Sequence, residues 1–92
     1  MTRSKLEQYL SVLEALVTRP LEFESIIYQV GEKLDIVRKC LSFLAANHLV
    51  DRLPLDEKRV VYAITDKGLG ILNVLQGQED LDKYRYLMLV YE

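Results

Sequence analysis

Few side chains of this 92-residue chain are suited to catalysis or metal binding. It has one cysteine and one histidine, Cys40 and His48, whereas a metal centre needs several ligands at set spacings. We interpret Cys40 as a core thiol and His48 as a turn residue. The acidic stretch 79–82 lacks the other ligand positions of a calcium loop. We therefore expect no metal, no cofactor and no enzymatic activity.

The basic side chains are distributed unevenly along the chain. The formal net charge is −2, so no overall positive field attracts the chain to nucleic acid. Residues 33–59 nevertheless contain six basic and four acidic side chains, whereas residues 76–92 contain two basic and four acidic ones. If this chain binds a polyanion, the central segment is the expected contact.

Hydrophobic periodicity predicts the elements that position these side chains. Apolar residues recur at helical spacing in three segments and again after Thr65, and two runs with β-type alternation flank a charged turn. The predicted elements are helices at Ser4–Thr18, Leu21–Val30 and Lys33–Asn47, strands at Val50–Leu55 and Arg59–Ile64, and a fourth helix capped by Thr65. Gly31 stands where a helix needs a left-handed residue at its end.

The third predicted helix divides into an apolar face and a polar face. Its inward residues are Leu34, Val37, Cys40, Leu41 and Leu44. The opposite face carries Asp35, Arg38, Lys39 and Ser42, with Lys33 near its start. An α-helix fits the major groove of B-DNA, so this face is a candidate surface for reading base edges.

The end of the chain is strongly apolar. Five large side chains share one helical face and form a predicted dimer interface: Leu81, Tyr84, Leu87, Met88 and Tyr91. A helix is favoured over a strand for this run, although its periodicity allows both. We therefore expect residues 1–77 to form one domain and residues 78–92 to pair two copies into a homodimer.

The order of three helices, a hairpin and a further helix is that of an α+β, mostly helical winged helix-turn-helix domain. The stretch Ile26–Val30 resembles the second helix of small winged-helix regulators found in archaea and their viruses, and Cys40–Val50 resembles the end of their recognition helix. Val61–Gly68 is similar to their junction between wing strand and helix. His48 replaces a usual glycine, and Glu32-Lys33 replaces a usual capping residue.

The resemblance implies a transcriptional regulator that binds double-stranded DNA. Helix three would read the major groove through Lys33, Arg38, Lys39 and Ser42, and the wing would reach the backbone or minor groove through Lys58 and Arg59. Arg3 and Lys5 would add backbone contacts.

A winged helix that binds only other proteins is the alternative, since the fold serves both purposes. With no signal peptide and no apolar run long enough to cross a membrane, we expect a cytoplasmic protein.

Overall fold

The computed structural model describes residues 3–76. Its elements are α1 (Lys5–Ala15), α2 (Phe23–Val30), α3 (Leu34–Ala46), β1 (Val50–Pro54), β2 (Val60–Ile64) and α4 (Asp66–Gln76). This order confirms the predicted α+β, mostly helical winged helix-turn-helix fold. No helix within the described range is long and apolar enough to span a membrane.

Helix α1 is shorter than its apolar stripe predicts. It begins at a capping box in which the Ser4 hydroxyl accepts from the Glu7 amide and the Glu7 carboxylate accepts from the Ser4 amide. The predicted extension to Thr18 is wrong, because the amides of Leu16 and Val17 bond three residues back instead of four. The helix therefore tightens and ends at Ala15, ahead of Pro20.

Helix α2 begins two residues later than predicted, because Leu21 belongs to the sheet. The Leu21 amide donates to the Tyr62 carbonyl over 3.0 Å, and the Tyr62 amide donates to the Leu21 carbonyl over 2.8 Å. This bridge places Leu21 in the core, where its side chain is buried. The hairpin is thereby fixed to the segment that leads into α2.

The turn between α2 and α3 follows the prediction at Gly31, which ends α2 with φ of 73°. Helix α3 then buries Val37, Cys40, Leu41 and Leu44 as expected. The predicted burial of Leu34 is wrong, since half of its surface is exposed. Leu34 is the first residue of α3, and the buried side of this helix starts one turn later, at Val37.

The hairpin pairs β1 with β2 in antiparallel register, with Val50 opposite Ile64 and Arg52 opposite Tyr62. It enters α4 through Thr65, whose hydroxyl accepts from the Gly68 amide and donates to the His48 carbonyl. His48 is left-handed, with φ of 61°, as its replacement of a glycine predicts. The core lies between the helices and the inner face of this hairpin.

Candidate nucleic-acid interface

The outer face of α3 is exposed, as the sequence predicts. Arg38, Lys39 and Ser42 are all exposed and are separated by one helical turn or less, and Lys33 is exposed at the N-cap. Asp35 shares this face and is the one acidic residue of α3. No residue in the described part of the chain covers this surface, so α3 presents a rod of suitable width to a duplex.

Arg38 is held in a defined position by an aromatic ring. Its guanidinium carbon lies 5.6 Å from the centroid of the Phe23 ring, a cation–π contact between the start of α2 and the outer face of α3. Phe23 itself is partly buried and packs against the core. The contact limits the conformations of a side chain that would otherwise be mobile. The helical spacing of apolar residues in α2 predicts an inward Phe23, but it contains no information about this contact with α3.

A concave groove separates α3 from the hairpin. It has a volume of about 420 Å³, and its lining comprises Phe23, Arg38, Leu41, Ser42, Ala45, Arg52 and Tyr62. This groove brings Arg38 and Ser42 of the predicted site together with Arg52. Arg52 is not among the site residues that the sequence analysis predicts.

The alternation of side chains along β1 could have identified Arg52 as a site residue. Side chains two residues apart in a strand share a face, so Arg52 lies on the same face as the buried Val50. A charged residue at an inward-facing strand position indicates a cation aimed at the neighbouring element. In this fold that element is the groove side of α3.

The tip of the hairpin is less cationic than its sequence indicates. The Arg59 guanidinium donates to the Asp56 carboxylate over 2.8 Å and lies 3.7 Å from the Glu22 carboxylate. The Lys58 and Arg59 amides also donate to Asp56, and these bonds hold the pKa of that carboxyl below its usual value. The charge of Arg59 is therefore compensated within the protein, and Lys58 remains exposed at the tip.

Arg3 does not extend toward a ligand. Its guanidinium donates to the Glu32 carboxylate over 3.0 Å, to the Ser11 hydroxyl over 2.8 Å and to the Val30 carbonyl over 2.8 Å. The expectation that Arg3 contacts a DNA backbone is not supported by this arrangement. Instead, Arg3 joins the start of the chain to α1 and to the turn before α3.

The chemistry of Cys40 is that of a buried thiol. Burial, with a smaller effect of the Glu32 carboxylate, raises the pKa of Cys40 to about 11. The thiol is therefore neutral near pH 7, which disfavours nucleophilic or redox chemistry. Within residues 3–76, no three His, Cys, Asp or Glu side chains lie close enough together to hold a metal ion.

The predicted dimer interface is not among the described residues. All five of its members, Leu81, Tyr84, Leu87, Met88 and Tyr91, follow Gln76, the last residue that the structure describes. Their assignment stays a prediction.

Comparison with solved structures finds similar folds among proteins of known type. The DNA-binding protein Sso10a-2 of Sulfolobus solfataricus is 19% identical, with a TM-score of 0.73 over 96% of this chain and 87% of its own. The PcaV transcriptional regulator of Streptomyces coelicolor is 26% identical, with a TM-score of 0.71 over 90% of this chain and 62% of its own.

A third similar structure is the homodimeric winged helix-turn-helix DNA-binding domain of Mb0332 from Mycobacterium bovis. It is 21% identical, with a TM-score of 0.63 over 75% of this chain and 64% of that domain. A comparison with curated protein sequences finds no significant match.

A protein-family model identifies the family of this chain. The model, described as winged helix-turn-helix, matches residues 2–83, which is most of the chain. The matched range contains every described helix and both strands. This chain is a member of the winged helix-turn-helix family.

Proposed function

We propose that this protein is a transcriptional regulator that binds double-stranded DNA by inserting α3 into the major groove. The observation that carries the proposal is the exposed outer face of α3, on which Arg38, Lys39 and Ser42 lie together in the described structure. Arg and Lys side chains bind phosphates and guanine edges, and a serine hydroxyl bonds to either. The names of PcaV, a transcriptional regulator, and Sso10a-2, a DNA-binding protein, support the same function.

The charges on this surface predict modest affinity with strong salt dependence. Asp35 opposes the approach of phosphates to α3, and the carboxylates of Asp56 and Glu57 do so at the hairpin tip. Binding must therefore depend on a few local cations. Each cation that neutralises a phosphate contributes about 0.9 to the slope of log affinity against log salt concentration.

The proposal is tested by titrating labelled duplex DNA at several salt concentrations. The double variant Arg38→Ala with Lys39→Ala is expected to weaken binding, and to flatten the salt slope by about two if both side chains neutralise phosphates. Arg19→Ala is the charge control, since Arg19 is exposed in the segment between α1 and α2. An unchanged slope in the double variant would contradict this assignment of the surface. A dimer indifferent to duplex would favour the protein-binding alternative.

We further propose that residues 1–77 bind DNA and that residues 78–92 join two copies. Pairing through Leu81, Tyr84, Leu87, Met88 and Tyr91 would cover the apolar end of the chain. The homodimeric state named for Mb0332 supports this arrangement. Two copies related by a twofold axis would then present their α3 helices about one DNA turn apart, ~34 Å.

We also propose that the protein acts in the cytoplasm, has no enzymatic activity and originates from an archaeon or an archaeal virus. The source of Sso10a-2, an archaeal Sulfolobus, supports the origin. The exposed cations of α3 and the neutral thiol of Cys40 support a binding role over an enzymatic one.

A further inference from the structure

We propose that the groove between α3 and the hairpin holds one sugar-phosphate strand of the bound DNA, with Arg38 and Arg52 as its phosphate ligands and Phe23 as the residue that positions Arg38. This inference rests on the proposed function and adds the part of the protein that holds the strand. On the hairpin, the proposed phosphate contact is then Arg52, the middle residue of β1, instead of a residue at the tip.

The charge of the groove matches a polyanion. Two arginines and the Ser42 hydroxyl line it, and its lining contains no carboxylate. Among residues 3–76, neither Arg38 nor Arg52 has a carboxylate within 4.0 Å. Arg59 at the tip differs, because it pairs with Asp56 and Glu22. The arginine of the hairpin that has no carboxylate partner among the described residues is therefore Arg52, and it lines the same groove as Arg38.

The surface between the two arginines suits a deoxyribose backbone. Leu41, Ala45 and Tyr62 line the groove beside the charged groups. Sugar carbons can pack against such apolar atoms while the phosphate oxygens accept hydrogen bonds from the guanidiniums. Arginine is well suited to this contact, because its planar fork donates to two oxygens of one phosphate.

Phe23 reduces the conformational entropy that Arg38 loses when it binds a phosphate. A flexible arginine loses conformational freedom when it binds a phosphate, and this loss weakens binding. Here the Phe23 ring lies 5.6 Å from the Arg38 guanidinium carbon before DNA arrives. The ring is itself fixed, since Phe23 packs partly buried against the core. Phe23 lines the same groove, and we expect it to affect DNA affinity by holding Arg38 in position.

The first experiment compares Arg52→Ala with Arg19→Ala on a labelled duplex of about 20 base pairs, two helical turns. Both variants remove one exposed positive charge, but only Arg52 lines the groove. We expect Arg52→Ala to flatten the salt slope by about one and Arg19→Ala to change it by less than half as much. Equal changes would overturn the groove assignment, because they would reflect net charge alone.

The second experiment tests Phe23 with a double-mutant cycle. Phe23→Leu is expected to weaken duplex binding roughly two- to fivefold, the range that an exposed cation–π contact supports. Phe23→Tyr keeps the ring and is expected to retain the affinity. In an Arg38→Ala background, Phe23→Leu should have no further effect on affinity.

The remaining outcomes separate this inference from the function on which it rests. A loss with Phe23→Leu that persists in the Arg38→Ala background would overturn the positioning role, since it would reflect a direct contact of Phe23 with the strand or a general structural effect. Thermal unfolding of each variant identifies such an effect directly. If the unaltered protein fails to bind duplex DNA, the proposed function fails and this inference fails with it. If it binds but Arg52→Ala leaves the slope unchanged, only the inference fails.

Discussion

Gly68 is the residue at which α4 comes closest to the rest of the protein. A Cβ atom built there would overlap the Leu49 carbonyl oxygen and lie 2.8 Å from Cγ1 of Ile64. Because the nearest neighbour is backbone, it cannot rotate away. We expect Gly68→Ala to lower the free energy of unfolding by about 1–3 kcal/mol, as measured by denaturant titration.

Gly70 provides the matched control on the same helix. A Cβ atom at Gly70 would meet no atom of the described chain within 4 Å. Gly70→Ala is therefore expected to raise the free energy of unfolding by about 0.5–1 kcal/mol, because alanine restricts the unfolded chain and favours helix. Equal destabilisation by both variants would contradict the prediction, because only Gly68 has backbone close enough to clash with a Cβ atom.

Cys40 makes stability depend on alkaline pH. Burial raises its pKa in the folded protein from an ordinary value of 9.0 to about 11. Below pH 9 the thiol is protonated in both states, whereas between these two values mainly the unfolded state releases the proton. The free energy of unfolding is therefore expected to fall as the pH rises from 9 to about 11.

Denaturant titration across this pH window checks the prediction against Cys40→Ala. The variant is expected to be less stable near pH 7 because it leaves a cavity, so the readout is the slope with pH and not the absolute stability. The two proteins differ only at residue 40, so the difference between their pH curves reports the thiol. Parallel curves would mean that the Cys40 thiol ionises equally in the folded and unfolded states.

Among the elements, the junction between β2 and α4 depends on one hydroxyl. Thr65 accepts from the Gly68 amide over 3.0 Å and donates to the His48 carbonyl over 2.7 Å, so it caps α4 and joins it to the turn after α3. We expect Thr65→Val, which keeps the shape but removes both bonds, to lower the midpoint of thermal unfolding. The expected cost is about 1–2 kcal/mol.

Thr65→Ser distinguishes the hydroxyl from the methyl group. Serine retains both hydrogen-bonding abilities and is expected to recover most of the stability lost in Thr65→Val. If serine and valine are equally destabilising, the packing of the threonine methyl group controls this junction.

The order of the elements and three of their caps could be predicted from local sequence. The end of α1 and the start of α2 could not. Ser4, Gly31 and Thr65 act on backbone groups only a few residues away, so their roles follow from residue type and spacing. Leu21 has the apolar character of an inward helical residue, but its amide pairs with Tyr62, which is 41 positions later in the chain. Helical periodicity contains no information about such a distant partner.

At the scale of the whole molecule, the proposed dimer depends on the apolar end of the chain. Removing residues 78–92 is expected to convert the dimer to a monomer, because the large side chains proposed as the interface are lost. The single substitution Met88→Glu should also shift the protein toward the monomer, since it places a charge in the proposed apolar contact. Light scattering at several protein concentrations measures the molecular mass of both variants. A truncated protein that stays dimeric would mean that the interface lies elsewhere.

The fold class and the exposed cationic face of α3 could both be predicted from residue type and spacing alone. Both follow from local properties: apolar spacing selects the buried side of each helix, and the opposite side, with Arg38 and Lys39, is then left to solvent. The candidate site could be predicted to this extent.

Which cations are available to a ligand depends on contacts between residues that are distant along the chain. Arg3 bonds to Glu32, Arg59 pairs with Glu22, and Arg38 stacks on Phe23, although each pair is well separated along the chain. Charge counts treat all these arginines as equivalent. Whether an arginine is compensated, positioned or free depends on which side chains the fold places within a few ångströms, because ion pairs and cation–π contacts act over short distances in space.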